Sequence, residues 1–365
     1  MSDLKQLAGL QFIVVYVSIM IGVGIILMPR SLAEAVNAPN LWLSIVWGFL
    51  LIGLCSMIIV QLVSRYPGKT FFEMSTIITG KYIGFLLNLC YIVYTLIVSA
   101  YILRVTGGIV KSNLLDTTPL SVVIGTFIIV STYLITNGAG DIVRFFQLYF
   151  PVMIVTFVAL CLLSLKDVDI NNIRPVVGEG IMPTFQGIRV TFFSFLGFEF
   201  LLIFSKLLGK RSANKLRAGI WISLALTAII YIGFHLLSLG ILGLEELKQI
   251  TFPTVEMAKS IEFQGFFFER FEILFLVGWL ITAITSFSAY YYAMWTGVRQ
   301  TFHTKSKFFV WLVAVLIFAT AIFPPGLTEV FQYSRIVNFS SIIAIVLFPT
   351  ILLLVSLSRR QSYAK

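Results

Sequence analysis

The sequence predicts an all-α integral membrane protein of about ten transmembrane helices, arranged as two inverted five-helix repeats whose first helices, the first and sixth of the chain, are broken. Three observations predict this fold class. Of the 365 residues, 59% are apolar and 12% are charged, against about 25% charged in ordinary globular proteins. Apolar runs long enough to cross ~30 Å of hydrocarbon recur along the chain. Glycines interrupt two of these runs, about half a chain apart.

The apolar runs define the predicted spans in chain order. Each has few or no charges over roughly 18 or more residues, the length of a membrane-crossing helix. The spans are 9–36, 41–64, 82–110, 120–137, 143–165, 185–208, 217–242, 270–298, 308–324 and 335–357. We therefore expect a single membrane domain over 1–365, with the first repeat in 1–180 and the second in 181–365. Five spans is an odd number, so the second repeat begins on the opposite side of the membrane and is inverted.

The charged residues indicate the orientation of these spans. Lys and Arg are concentrated at the termini and in alternate loops, for example at Arg65, Lys206 and Arg299, whereas acidic residues such as Glu245 and Glu256 lie in the other loops. This asymmetry predicts cytoplasmic N and C termini. The net charge of +10 is therefore a signal of topology and of attraction to anionic lipid headgroups, and no nucleic-acid partner is predicted.

The chemistry of an enzyme is missing from the sequence. The three Cys fall inside predicted spans without the spacing of metal ligands, and two His cannot form a His-based metal site. Neither a Gly-x-Ser-x-Gly motif nor a phosphate-binding loop occurs. We expect a protein without catalytic activity, cofactor or metal.

The first span contains a predicted break. Gly22 and Gly24 lie near its middle, and Pro29 follows about one turn later. Glycine permits unwound backbone, while proline removes a hydrogen-bond donor from a helix. Unwound backbone at membrane depth is tolerated only where protein buries it or where it lines a cavity. A break near Gly22 therefore predicts a binding site.

The sixth span repeats this pattern at Gly197, with Glu199 two residues later. Glycine-interrupted spans at corresponding positions of two inverted halves are typical of transporter sites at the bilayer midplane. Exposed N–H groups at such half-helix ends suit a carboxylate, and exposed carbonyls suit an ammonium group. The predicted ligand is a small zwitterion, an amino acid. The alternative is that these glycines only allow two helices to pack closely.

Few other ionisable residues lie at membrane depth, where a charge costs about 2.5–3.5 kcal/mol on insertion scales. Glu199 is predicted to be a proton site, a gate or a ligand for an ammonium group. Arg104 either pairs with Glu199 or Glu34 or steers an ion, or it extends to the outer interface. Arg30 and Glu34 are spaced for an i,i+4 ion pair, and His235 is interpreted as a hydrogen-bonded packing residue.

Several motifs together resemble the B subunits of bacterial spore germinant receptors, within the amino acid–polyamine–organocation superfamily, over essentially the whole chain. The motifs are Gly22-Val-Gly-Ile-Ile-Leu-Met-Pro29-Arg30, Phe195-Leu-Gly-Phe-Glu199, Asp169-Ile-Asn-Asn-Ile-Arg-Pro-Val-Val-Gly-Glu-Gly180 and Gly265-Phe-Phe-Phe-Glu-Arg-Phe-Glu272. The resemblance implies a LeuT-like fold in the inner membrane of a spore. It also implies that the chain senses a nutrient germinant together with an A-type membrane subunit and a C-type lipoprotein.

The resemblance further implies where the ligand binds. In the family the pocket lies between the first, third, sixth and eighth spans, which selects Gly22, Gly24, Tyr94, Leu196, Gly197, Thr285 and Ser286. A plain proton-coupled amino-acid transporter remains the alternative function, because the same fold and site serve both. A channel would require a continuous polar pore, which the spans do not display.

Overall fold

The chain is almost entirely helical. A computed structural model describes residues 7, 9–176, 180–209, 212–261, 270–304, 306, 308–324 and 326–359. The α-helices are α1 (Gly9–Ile21), α2 (Gly24–Val36), α3 (Trp42–Arg65), α4 (Phe71–Thr79), α5 (Lys81–Asn113), α6 (Leu120–Thr136), α7 (Ala139–Ser164), α8 (Ile170–Ile173), α9 (Ile188–Ser194), α10 (Ser205–Leu208), α11 (Ala213–Gln249), α12 (Pro253–Lys259), α13 (Phe271–Thr301), α14 (Phe308–Ile322), α15 (Leu327–Ser341) and α16 (Phe348–Ser358).

The predicted spans coincide with this order of helices. Within the described residues, six helices are long and apolar enough to cross a membrane, and the bent pair α1–α2 makes a seventh. The apolar helices α6 and α14 are shorter. The last predicted span begins earlier than expected, because α15, a π-helical turn over Ile342–Leu347 and α16 follow one another without a gap. The short helices α4 and α8 between the spans were not predicted.

The first break lies at Gly22 and Val23, as predicted. The axes of α1 and α2 differ by 52°, and Gly22 has φ of +24°, which an L side chain rarely adopts. Pro29 does not cause the break, because it lies inside α2. Since Pro29 has no N–H, the carbonyl of Ile25 four residues earlier loses its helical partner. The Thr254 hydroxyl on α12 donates to that carbonyl at 2.8 Å.

The second break is longer than the first. A 3₁₀ segment over Met182–Gly187 leads into α9, and a second one over Phe198–Leu202 follows Gly197, whose φ is +131°. The carbonyl and hydroxyl of Thr184 accept hydrogen bonds from Ser44 Oγ (2.7 Å) and Trp47 Nε1 (3.1 Å) on α3. These bonds fix the entrance of the broken span against its neighbour.

Packing places both breaks in the interior. Helices α5 and α13 pack against each other, and α13 also packs on α1 and α7. The loop before the second repeat is anchored on α11, where Asn172 Nδ2 and the Asp169 N–H donate to the Gly240 carbonyl at 2.9 and 3.0 Å. Of the motifs quoted above, residues 177–179 and 265–269 lie outside the described part of the chain.

Candidate functional site at the two helix breaks

The two breaks contact each other directly. A Cβ atom placed on Gly197 would lie 2.9 Å from Ile19 Cγ2 and 3.2 Å from the backbone nitrogen of Met20. A Cβ atom on Gly24 would lie 3.1 Å from Ser194 Cβ. Glycine at these positions therefore lets the unwound backbones approach more closely than any other residue would allow.

Side chains of the seventh and eighth spans satisfy the carbonyls at the end of α1. A helix end leaves its last carbonyls without intrahelical donors, and at membrane depth each must find another donor. The bonds are Thr285 Oγ1 to the Ser18 carbonyl (3.0 Å), Ser286 Oγ to Ile19 (2.7 Å), Tyr231 Oη to Met20 (2.7 Å) and Trp279 Nε1 to Gly22 (2.9 Å). The N–H groups at the start of α2, such as those of Gly24 and Ile25, have no acceptor within their own helix. A carboxylate at the break can accept hydrogen bonds from such donors.

The Tyr231 hydroxyl links the two breaks. It lies 2.7 Å from the Met20 carbonyl and 3.2 Å from that of Ile21 at the first break. It also lies 2.7 Å from the Ser194 carbonyl at the second break. Tyr231 therefore bonds to both broken spans from a third helix, α11.

Glu199 is buried directly behind the second break. Its side chain is 1% exposed, and Tyr94 Oη and Tyr290 Oη donate to its Oε1 at 2.9 and 2.5 Å. The N–H of Gly197 donates to Oε2 at 2.7 Å. An unpaired buried carboxylate is costly, and three donors offset part of that cost. The structure thus ties the third, sixth and eighth spans together at one carboxyl group.

A small cavity of about 30 Å³ lies between the breaks. Four predicted site residues line it: Gly22, Gly24, Leu196 and Ser286. Its other lining residues are Ile19, Met20, Val23, Val98, Ile102, Phe193, Ser194 and Tyr290. The other three predicted residues do not line the cavity. Tyr94 and the Gly197 N–H donate to the Glu199 carboxylate, and Thr285 donates to the Ser18 carbonyl. Ligand pockets usually measure about 300–1,000 Å³, so this conformation is closed.

A larger cavity of about 410 Å³, here called the vestibule, adjoins the small one. Gly24, Phe193 and Ser194 line both cavities. The rings of Phe193 and Tyr101 meet edge to face with centroids 5.4 Å apart. Glu34, Arg335 and Asn338 provide polar groups elsewhere in the vestibule. The Phe193 ring, packed on Tyr101, is therefore the bulky part of the boundary between the two cavities.

Arg104 lies elsewhere. It is 7% exposed, and its Nε and Nη2 donate to the Pro324 carbonyl at 3.1 and 2.9 Å, so it binds the connection between α14 and α15. Tyr94 precedes it by ten residues, about 15 Å along the helix. The negative charge of Glu329, in the first turn of α15, also acts on the Arg104 guanidinium.

The remaining ionisable residues are placed as follows. Arg30 Nε and Glu34 Oε1 form the expected ion pair at 2.8 Å. His235 is fully buried, and both its ring nitrogens are without a hydrogen-bond partner among the described residues. The predicted packing role of His235 therefore accounts for its burial but not for its polar atoms.

Three residues of the site were missed in the sequence: Trp279, Tyr231 and Tyr290. Tyr290 follows Ser286 by four residues, so both lie on one face of α13, and this spacing could have identified it. Tyr231 and Trp279 carry no comparable signal, because their acceptors are in spans distant in sequence.

The chain has relatives among known protein families and sequences. A family model described as spore germination protein matches residues 6–330. The chain is 31% identical over 360 residues to spore germination protein YndE of Bacillus subtilis (strain 168), covering 99% of each chain. It is 32% identical over 358 residues to spore germination protein A2 of the same organism, covering 97% of each. Spore germination protein GerLB of Bacillus cereus is 24% identical over 346 residues, 94% of this chain and 92% of that one.

A solved structure of similar fold is that of Mhp1, a nucleobase-cation-symport-1 family transporter, in a closed conformation with bromovinylhydantoin bound. The TM-score is 0.71 at 14% identity, covering 96% of this chain and 78% of that chain. At this identity the likeness concerns the fold alone. It confirms the predicted fold class, a helical transporter-like membrane protein, while the division at residue 180 stays a prediction.

Proposed function

The chain belongs to the spore germination protein family, and on that premise we propose that it is the nutrient-sensing membrane subunit of a spore germinant receptor. In this proposal a small germinant, an amino acid, binds between the two helix breaks. Binding triggers germination through an A-type membrane subunit and a C-type lipoprotein. The protein resides in the inner membrane of the spore with both termini in the cytoplasm.

The observation that carries the proposal is the cavity at the contact of the two breaks. The N–H groups at the start of α2, from Gly24 on, can donate to a carboxylate. The carbonyls of the first break each accept a side-chain hydrogen bond, but a carbonyl has a second lone pair with which it can accept from an ammonium group. A zwitterion therefore finds both partners within the same break.

The size of the cavity supports a small ligand that rearranges the site. About 30 Å³ does not hold an amino acid, so the ligand must displace the wall toward the vestibule of about 410 Å³. Phe193 is the bulky side chain that lines both cavities, and Leu196 lines the small one. A ligand that binds the opened arrangement better than the closed one shifts the population toward it, which is what a sensing subunit requires.

Replacement of Gly22 by leucine tests the site. A Cβ atom at this position would lie 2.6 Å from Ser286 Oγ, and φ of +24° disfavours any L side chain. We expect Gly22→Leu to abolish nutrient-triggered germination while the protein stays at its normal level in the spore membrane. The matched control is Gly233→Leu on α11, where a Cβ atom meets nothing within 4 Å. Gly22→Ala gives a milder perturbation should leucine lower the protein level.

Normal germination of the Gly22→Leu spores at the usual nutrient concentration would remove the breaks from consideration as the ligand site. Loss of germination in the Gly233→Leu control as well would show that the assay reports membrane insertion and not binding.

A proton-coupled amino-acid transporter is the second candidate. The transporter-like fold and the buried carboxyl group of Glu199 favour it. Uptake of a labelled amino acid by the isolated chain in liposomes, reduced in Glu199→Gln, would favour transport. A gene placed beside those of A-type and C-type partners, with no uptake, would favour the receptor.

A further inference from the structure

A cavity of about 670 Å³ lies at the opposite end of α5 from Arg104, away from the helix breaks. It lies between α4, the first turns of α5 and the end of α13, and we call it the basic cavity. Its lining residues are Lys69, Phe72, Glu73, Thr76, Ile77, Lys81, Tyr82, Phe85, Asn88, Gln300, Thr301 and His303. Its volume falls within the usual range of small-ligand pockets.

The charges of the basic cavity favour an anion. Glu73 is its acidic lining residue, and that carboxylate already lies 3.8 Å from Lys69 Nζ and 3.5 Å from Lys206 Nζ. Glu73 Oε2 also accepts the N–H of Thr70 at 3.0 Å, which caps α4. Lys81 has no ion-pair or hydrogen-bond partner among the described residues. The Glu73 carboxylate thus lies between Lys69 and Lys206, and Lys81 remains available to bind an anion.

The mouth of the cavity is apolar. Tyr82 is 86% exposed and Phe85 is 44% exposed, and Ile83 and Leu86 on the same turns of α5 are also exposed. In a membrane protein such side chains face lipid. Lys81 at the start of this helix is at the end of the bundle that also bears Lys69 and Lys206, the end that the basic residues assign to the cytoplasm.

We propose that the basic cavity binds the phosphodiester headgroup of an anionic phospholipid from the inner leaflet. Lys81 and Lys69 contact the phosphate, and the acyl chains lie along Tyr82 and Phe85. The exposed apolar side chains favour an amphiphile over a soluble phosphate ester. The basic cavity is separate from the helix breaks, so this proposal can be tested independently of the proposed function.

The test uses the full chain, purified in detergent and titrated with phosphatidylglycerol or phosphatidylcholine while lipid binding is measured by native mass spectrometry. We expect phosphatidylglycerol to bind in preference. Lys81→Gln should weaken its binding about fivefold, the loss expected for one lysine near an anionic headgroup. Lys111→Gln, at the other end of α5, is the matched control and should bind normally.

Equal binding of both lipids by the wild type, or unchanged phosphatidylglycerol binding by Lys81→Gln, would overturn the proposal. Competition by millimolar glycerol phosphate as effective as that by phosphatidylglycerol would instead assign the cavity to a soluble phosphate ester and overturn the lipid.

Discussion

The carboxylate of Glu199 allows a direct measurement of how the third, sixth and eighth spans are joined. Tyr290→Phe removes one hydroxyl donor and keeps the ring, which packs edge to face on Phe200 with centroids 4.9 Å apart. The Tyr94 hydroxyl and the Gly197 N–H remain on the carboxylate. The perturbation therefore removes one hydroxyl group and leaves the ring and the other two donors in place.

The size of the effect follows from the charge of the acceptor. A hydrogen bond to a charged group contributes about 1.5–3 kcal/mol to stability, and one between neutral groups about 0.5–1.5 kcal/mol. Tyr290→Phe should therefore destabilise the wild type by about 1.5–3 kcal/mol. In a Glu199→Gln background the same change should cost about 1 kcal/mol less. Neutral hydrogen bonds between membrane helices show coupling of only about 0.6 kcal/mol on average.

The measurement is a double-mutant cycle on the free energy of unfolding in mixed micelles. Tyr133→Phe is the matched control, because Tyr133 is 76% exposed on α6 and its loss of a hydroxyl should change little. Equal costs of Tyr290→Phe in the wild type and in Glu199→Gln would refute the reasoning, since additivity means that the hydroxyl does not act through the carboxylate.

Two further predictions concern the close contact at Gly197 and the hydrogen bonds of Arg104 to Pro324. Gly197→Ala should lower the unfolding midpoint well below that of Gly233→Ala. The φ of +131° adds backbone strain and the contact of 2.9 Å with Ile19 adds overpacking, about 1–3 kcal/mol each. Similar midpoints for the two variants would contradict close contact of the breaks. Arg104→Gln should destabilise the protein by about 1.5 kcal/mol or more in the same assay, because the bonds of Arg104 to Pro324 are buried. Arg144 forms an exposed ion pair, so Arg144→Gln should have little effect. Indistinguishable midpoints for the two arginine variants would show that the bonds of Arg104 to Pro324 do not contribute to stability.

The sequence contained enough information for the breaks but not for what surrounds them. Gly22 and Gly197 are identifiable because glycine and its spacing are local properties, and both have positive φ in the structure. Glu199 is identifiable because a carboxyl group in an apolar run is costly. Its partners Tyr94 and Tyr290 come from other spans, and only Tyr94 was selected, through the family resemblance.

Arg104 illustrates what a single sequence leaves out. The cost of a buried charge correctly predicts that the side chain finds a partner. One partner is the carbonyl of Pro324, a backbone group. Backbone acceptors are present at every residue, so the sequence does not indicate which of them is used. The π-helical turn at Ile342–Leu347 is equally invisible, because its residues are ordinary apolar helix residues.

The Tyr231 hydroxyl has one proton and three carbonyl neighbours, those of Met20, Ile21 and Ser194. Only one of them can receive a full hydrogen bond at a time, so the broken spans compete for a single donor. A shift of either span changes how that proton is shared and with it the hydrogen bonding of the other span. The two halves of the chain are in this way mechanically dependent at one atom, before any ligand enters.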